Sequence, residues 1–276
     1  SRPQRLCLQG LAKLVLRPPS PLLQDDSVHS LVDLWTTVVL THAAADVRAE
    51  ATAALKATAN KSAVLAHHVR ERSLPPLMHV VASPEASPAL GRSATDVLKD
   101  VLAVLAELST EPSIFMALVL PLCQLGLGIN PNQPLLQLHP QTKDIASAVA
   151  NIVRLNQLNV ACIDACVLPT TATTSVVQLL VDTVVHHVRQ QLELNGHALL
   201  NHDDDAVTVT LVPPTAVILG VVMQHGSIQA QETLLQYVLS LFLTVRVHEI
   251  ELFIYILCVL LKISTAEQSP DLRNFI

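Results

Sequence analysis

The sequence predicts an all-α chain, and three observations carry that prediction. Glycine is scarce, at 7 of 276 residues, whereas sheets joined by tight turns need glycine wherever φ turns positive. Apolar residues recur at the spacing of one helix face. Prolines punctuate the chain in clusters: "RPPSP" at 17–21, "LPP" at 74–76, "SPEASP" at 83–88 and "NPNQP" at 130–134. A proline crowds the residue before it out of the helical region, so helices generally stop before such clusters. The intervals then hold helices of about ten to twenty residues.

Taken in order, Leu31, Leu34, Trp35, Val38 and Val39 paint one face of a first clear helix. Leu98, Val101, Leu102, Leu105 and Leu108 repeat the spacing, and Ile145, Val149, Ile152 and Leu155 do so more loosely. Each set follows a period near 3.6. Asp26 or Ser27, Asp46 and Asp144 stand where N-caps are wanted. Near the end, "TLLQYVLSLFL" and "LFIYILCVLLKI" are apolar nearly all round, which predicts helices buried on most sides. One stretch objects. "AVTVTLV" at 206–212 alternates strictly, the period of a strand. With no partner strand elsewhere, it reads as an extended loop segment or as a helix carrying a misleading signal.

Composition narrows the function classes. Half of the residues are apolar and only 14% are charged, against roughly 25% in an ordinary soluble domain. Mean hydropathy is +0.45. Either partners cover much of the surface, or part of the chain meets lipid. A net charge of −6 argues against a nucleic-acid binder. Four basic residues among the first twenty (Arg2, Arg5, Lys13, Arg17) read as a solvated helix face. The five cysteines (Cys7, Cys123, Cys162, Cys166, Cys258) show no framework spacing. Buried thiols in a reducing intracellular compartment are expected, the cytoplasm first and an organelle second.

A longer echo organises the chain. Leu-Pro occurs at 74–75, 120–121 and 168–169, and Val-Pro at 212–213, at offsets of 46, 48 and 44 residues. Each opens an apolar stretch: "LPPLMHVVA", "LPLCQLGLG", "LPTTATTSVVQLLV" and "VPPTAVILGVV". The first three follow Ala/Leu-rich segments, "VRAEATAALKAT", "LKDVLAVLAEL" and "IASAVANIVRL". Proline in the first turn of a helix costs little, because that N–H has no helical partner. Each Leu-Pro is therefore expected to begin a helix.

With those residues in view, the chain resembles an armadillo-type repeat array, with the HEAT repeat close behind. The clearest unit is 47–81; others lie at 96–125, 143–181 and 213–263, and about six would fit the length. The glycine that precedes Leu-Pro in the family is missing. The resemblance implies a single right-handed α-solenoid over residues 1–276 with a long concave face. It further implies a non-enzymatic scaffold or adaptor subunit whose partners are other proteins. The nuclear-import members carry Trp and Asn ladders, but Trp35 is followed four residues on by Val39, which disfavours that branch.

No catalytic or cofactor motif stands out. "GLG" at 126–128 lacks its third glycine, with Pro131 in that place. There is no G-x-S-x-G, H-E-x-x-H or C-x-x-C, so the expectation is no enzyme, no cofactor and no metal. "HHVR" occurs at 67–70 and 186–189. Adjacent helical side chains point about 100° apart, so neither pair can share one ion, and each copy should turn Val inward. "HALLNHDDDA" at 197–206 gathers His197, His202 and Asp203, Asp204 and Asp205. It reads as a wet acidic loop, a docking patch for a basic partner, or a divalent-ion site. Five of seven aromatics lie late in the chain: Tyr237, Phe242, Phe253, Tyr255 and Phe275. The first four, with the three aspartates, are the candidate protein-binding residues, since aromatics are enriched at interface centres.

The rival reading is a helical accessory subunit of a membrane or organellar complex. Residues 113–142 contain no Lys, Arg, Asp or Glu. Yet the run "IFMALVLPLCQLGLGI" falls short of the roughly twenty apolar residues a span needs. Membrane contact is therefore the less favoured expectation.

Overall fold

The computed structural model describes residues 2–16, 25–86, 92–127, 139–168, 175–195 and 206–243. Among them every regular element is helical, eleven α-helices and one short 3-10 turn at Pro84–Ala86, with no strand. Chain contacts divide the protein into two compact units, residues 1–118 and 119–276.

The first unit holds α1 (Arg2–Leu16), α2 (Asp25–Thr41), α3 (Ala45–Ala59), α4 (Ala63–Ala82) and α5 (Ala94–Leu108). Each helix from α2 to α4 packs on the next in sequence. The next-but-one pairs α1–α3, α2–α4 and α3–α5 also pack. Three-residue turns such as 42–44 and 60–62 enforce this local stacking. The core between them is aliphatic around a fully buried Trp35, with Leu55, Leu77, Leu98 and Leu105 equally buried. One polar tie crosses it. The Thr36 hydroxyl donates to the Val32 carbonyl at 2.8 Å, so Ser73 of α4 donates to Thr36 at 2.8 Å.

The boundary between units falls within α6 (Pro112–Leu127). The second unit continues with α7 (Thr142–Leu155), α8 (Val160–Val167), α9 (Val176–Asn195), α10 (Ala206–His225) and α11 (Ile228–Phe242). Here α7 packs along α10 most extensively, α9 packs on α8 and α10, and α11 meets both α8 and α9. Asp164 of α8 accepts from the Ser227 amide at 2.8 Å, holding the entrance to α11.

Several sequence expectations meet corrections. Two of the Leu-Pro pairs do not begin helices: Pro75 and Pro76 sit inside α4, and Pro121 inside α6, while Pro169 of the third lies outside the described residues. Each ring deprives the carbonyl four residues earlier of its donor. In α4 those carbonyls belong to Glu71 and Arg72, both at exposed positions, so water can take the missing bonds. Asp46 and Asp144 lie in the first turns of α3 and α7 rather than at their caps, and Asp26 and Ser27 fall inside α2. There a carboxylate complements the helix dipole without bonding the end. Serines cap four helices, Ser62 accepting from Leu65, Ser93 from Asp96, Ser175 from Gln178 and Ser227 from Ala230, and the Glu111 carboxylate caps α6 by accepting from the Ile114 amide at 3.0 Å.

The face of α5 is buried as its spacing predicts, from Leu98 to Leu108. In α2 the buried face rotates to Val28, Val32, Trp35 and Val39, leaving Leu34 exposed. In α7 Leu155 leaves the core at 44% exposure. Helix α11 is not covered all round: Leu234 and Val238 are buried, but Leu239 is half exposed. "LFIYILCVLLKI" lies outside the described residues. "AVTVTLV" is helical, the first two turns of α10. The rest of that helix is buried from Thr215 to Met223, apart from Val217. Docking along α7 outweighs the modest strand preference of its β-branched start.

Candidate functional site

Helix α3 is rich in alanine, and its residues Ala45, Ala49 and Ala53 form an exposed row. Alanine favours the helix and leaves its surface low. Beside this row run Arg48, Thr52 and Lys56, again four residues apart. Opposite stands α5, which offers Asp100, Ala103, Val104 and Glu107. Between the two helices lies an open groove of about 480 Å³, closed below by Val39 of α2.

Two ion pairs cross this groove. Arg48 Nη2 meets Asp100 Oδ2 at 2.8 Å. Lys56 Nζ meets Glu107 Oε2. Eight residues along a helix separate the rungs by about 12 Å. Arg48 is held firmly, because its Nη1 also donates to the carbonyls of His42 at 2.9 Å and Ala43 at 2.6 Å. Arg92 brings a second guanidinium to the same Asp100 oxygen. The lining thus balances two cations with two carboxylates over an alanine floor. Thr52 carries its only hydroxyl, and no His or Cys lines it. Such a surface suits the seating of a small apolar side chain between charged rungs. The sequence reading missed these residues. Their signal was the register of Arg48 and Lys56 on α3 against Asp100 and Glu107 on α5, which becomes visible only once the helices are paired.

Of the candidate protein-binding residues, Tyr237 is the one whose side chain is described. It is half-buried on α11, and its hydroxyl donates to Asp182 of α9. Burial, and then that carboxylate, push its hydroxyl well above the ordinary tyrosine range. The side chain of Phe242 lies outside the described residues, as do Phe253, Tyr255, Asp203, Asp204, Asp205, His197 and His202. Tyr237 therefore ties two helices together, whatever else it contacts.

The first HHVR behaves as its spacing predicts for Val69, which is fully buried. His67 faces solvent and meets Glu71 at 3.1 Å. His68 instead turns inward, toward His29 of α2. In the second copy His186 is exposed, and the side chains of 187–189 lie outside the described residues. Among the described residues no three His, Cys, Asp or Glu side chains gather into a metal-holding group, and no helix is long and apolar enough to cross a membrane.

The described cysteines divide sharply. Cys7 is exposed, against the expectation of buried thiols, while Cys123, Cys162 and Cys166 are buried; Cys258 lies outside the described residues. Burial, then Cys162 and Asp164, push the Cys166 thiol up to about 12. Cys123 is raised further still, by burial and then by Cys166. A protonated, enclosed thiol is a poor nucleophile. Alkylation of the native protein at about pH 8 is therefore expected to label Cys7 and spare Cys123, Cys162 and Cys166. Peptide mapping checks this; labelling of native Cys166 as fast as Cys7 would contradict it. The sign for stability follows. Between the ordinary thiol range and about 12, unfolded Cys166 ionises and folded Cys166 does not. Its contribution is whole below that window and is lost as pH rises through it.

Compared with known proteins, the chain matches no family model, and no curated protein matches it in sequence.

Proposed function

We propose that the protein is a non-enzymatic interaction subunit whose units are short stacks of armadillo/HEAT-type helices, and that it holds protein partners in the groove between α3 and α5. The observation that carries this reading is the alanine-floored groove with its two ion-pair rungs. Supporting it, helices of the first unit pack on both the next and the next-but-one helix in sequence. Packing confined to near neighbours along the chain is what a stack of helical repeats requires. The Leu-Pro echo supports it as well, though Pro75, Pro76 and Pro121 lie within helices. The groove works by shape: a partner side chain fills the cell between the rungs, and the paired charges form a polar rim.

The test places a photo-crosslinking residue at Ala53, inside the groove, and another at Glu71, on an exposed face of α4. The expected result is a defined protein joined through position 53 but not through 71. That product should disappear when Ala49→Trp fills the groove, with the helical spectrum retained. Equal crosslinking from both positions, or a product indifferent to Ala49→Trp, would sink the reading. Fractionation addresses the accessory-subunit alternative: release by salt or alkali agrees with docking on protein, whereas a need for detergent favours a membrane complex.

A further inference from the structure

The basic residues of α1 read from the sequence as a solvated face, yet two leucines share that face. Leu6 is 59% exposed and Leu14 52%. Leu8 and Val15, by contrast, are buried, and α1 packs on α3. At about 100° per residue, Leu6, Gly10 and Leu14 follow one line away from the buried side, with Pro3 and Cys7 beside them. All five are exposed, and a methyl group added at Gly10 would meet nothing within 4 Å. Arg2 and Lys13, also exposed, run along one edge of this apolar stripe.

The charge of α1 is one-sided. The helix carries Arg2, Arg5 and Lys13 and no acidic residue, in a chain whose net charge is −6. Arg5 reaches α3 and pairs with Asp46 at 3.7 Å, both side chains half exposed. Among the described residues Arg2 and Lys13 have no acidic partner. A single outward helix face is a ridge, without a pocket to grip one particular side chain. It suits a surface that is negative, deformable and able to accept aliphatic groups anywhere along it. Anionic lipid headgroups over acyl chains have those properties. Leu6 and Leu14, eight residues apart, are separated by about 12 Å along the axis, so both reach the acyl boundary when α1 lies flat.

We propose that α1 is a peripheral membrane-docking helix, which lays Leu6 and Leu14 into the boundary of an anionic lipid surface while Arg2 and Lys13 meet its headgroup phosphates. The helix lies on the bilayer and does not cross it. Each part is weak alone. Two half-exposed leucines bury little further area, and at about 0.1 M salt the cations act only over a Debye length of about 10 Å. Together they give reversible, salt-sensitive binding to negative membranes and none to neutral ones. The face shares no residue with the groove between α3 and α5, so this inference stands or falls apart from that reading.

The experiment floats the full chain with vesicles of phosphatidylcholine containing about 30% phosphatidylserine, at about 0.1 M salt. The expected result is binding that saturates within about 1 mM lipid, is absent from phosphatidylcholine alone, and falls away by about 0.5 M salt. Lys13→Glu should weaken it at least about tenfold, and Leu6→Ser and Leu14→Ser at least about threefold each. All three side chains are exposed, so the helical spectrum should be kept. The matching changes Lys99→Glu on α5 and Leu34→Ser on α2, also at exposed positions, should leave binding unchanged. Equal binding to neutral vesicles overturns the proposal, and so does an equal loss with Lys99→Glu or Leu34→Ser. Were an acidic protein the true occupant of this face, the vesicles would stay bare, and that result overturns the lipid assignment.

Discussion

Trp35→Ala is expected to lower the stability of the first unit by about 3–5 kcal/mol, the range for emptying a fully buried large aromatic site. Trp35 is the chain's only tryptophan and has no exposed surface. Its ring is enclosed where α2 packs on its neighbours, and removing it leaves a cavity those helices cannot close. The indole also has a liability. Its Nε1–H is buried with no hydrogen-bond partner among the described residues. An unsatisfied buried donor costs about 1–3 kcal/mol. Trp35→Phe therefore combines a smaller cavity loss with relief of that cost, and a net change within about 1.5 kcal/mol is expected. Urea denaturation followed by circular dichroism measures both variants, since tryptophan fluorescence vanishes with the residue. Equal losses for Ala and Phe would show that the orphan donor has no energetic weight.

Gly126→Ala should destabilise the second unit although alanine is the better helix former. A Cβ at this position in α6 would lie 2.8 Å from Ile145 Cγ2 and 3.2 Å from its Cβ. The helices can approach this closely because glycine offers only backbone. Thr142 uses the same contact, donating to the Gly126 carbonyl at 2.8 Å. Overpacking of this kind costs about 1–3 kcal/mol, and the helix-propensity gain of up to about 1 kcal/mol offsets part of it. Ile145→Ala alone leaves a cavity, at about 2–5 kcal/mol. In the double variant the new methyl occupies part of that space, so the losses should fall short of additive by more than about 0.5 kcal/mol. Strict additivity in a thermodynamic cycle would mean that Gly126 and Ile145 do not press on each other.

These two sites show where local reading stops. Gly126 drew attention as part of a failed dinucleotide motif; its actual role depends on a residue nineteen positions later. Trp35 was assigned correctly to a buried face, but that face included Leu34, which is exposed. A period of 3.6 gives the existence of a stripe, and neighbouring helices choose its centre. The groove followed the same rule. Arg48 and Asp100 are 52 residues apart, and neither stands out until α3 and α5 are set side by side. His29 has no special neighbour in sequence, so its meeting with His68 was invisible beside the conspicuous HHVR.

Few glycines and apolar residues at helical spacing were enough to determine by themselves that the chain is of the all-α class, because those signals act within a few residues of chain. They also determined that Leu98 to Leu108 is buried, where the stripe is strong and unbroken. Tertiary structure decided the rest. It kept α4 and α6 running through their prolines, because burial of Leu74 and Leu77 in α4 and of Leu118 and Leu122 in α6 exceeds the loss of one or two hydrogen bonds. It made a helix of the alternating segment at 206–212, because the buried half of α10 carries its start along. It also brought Arg48, Lys56, Asp100 and Glu107 to one groove, since such registers depend on contacts between helices that no local pattern records.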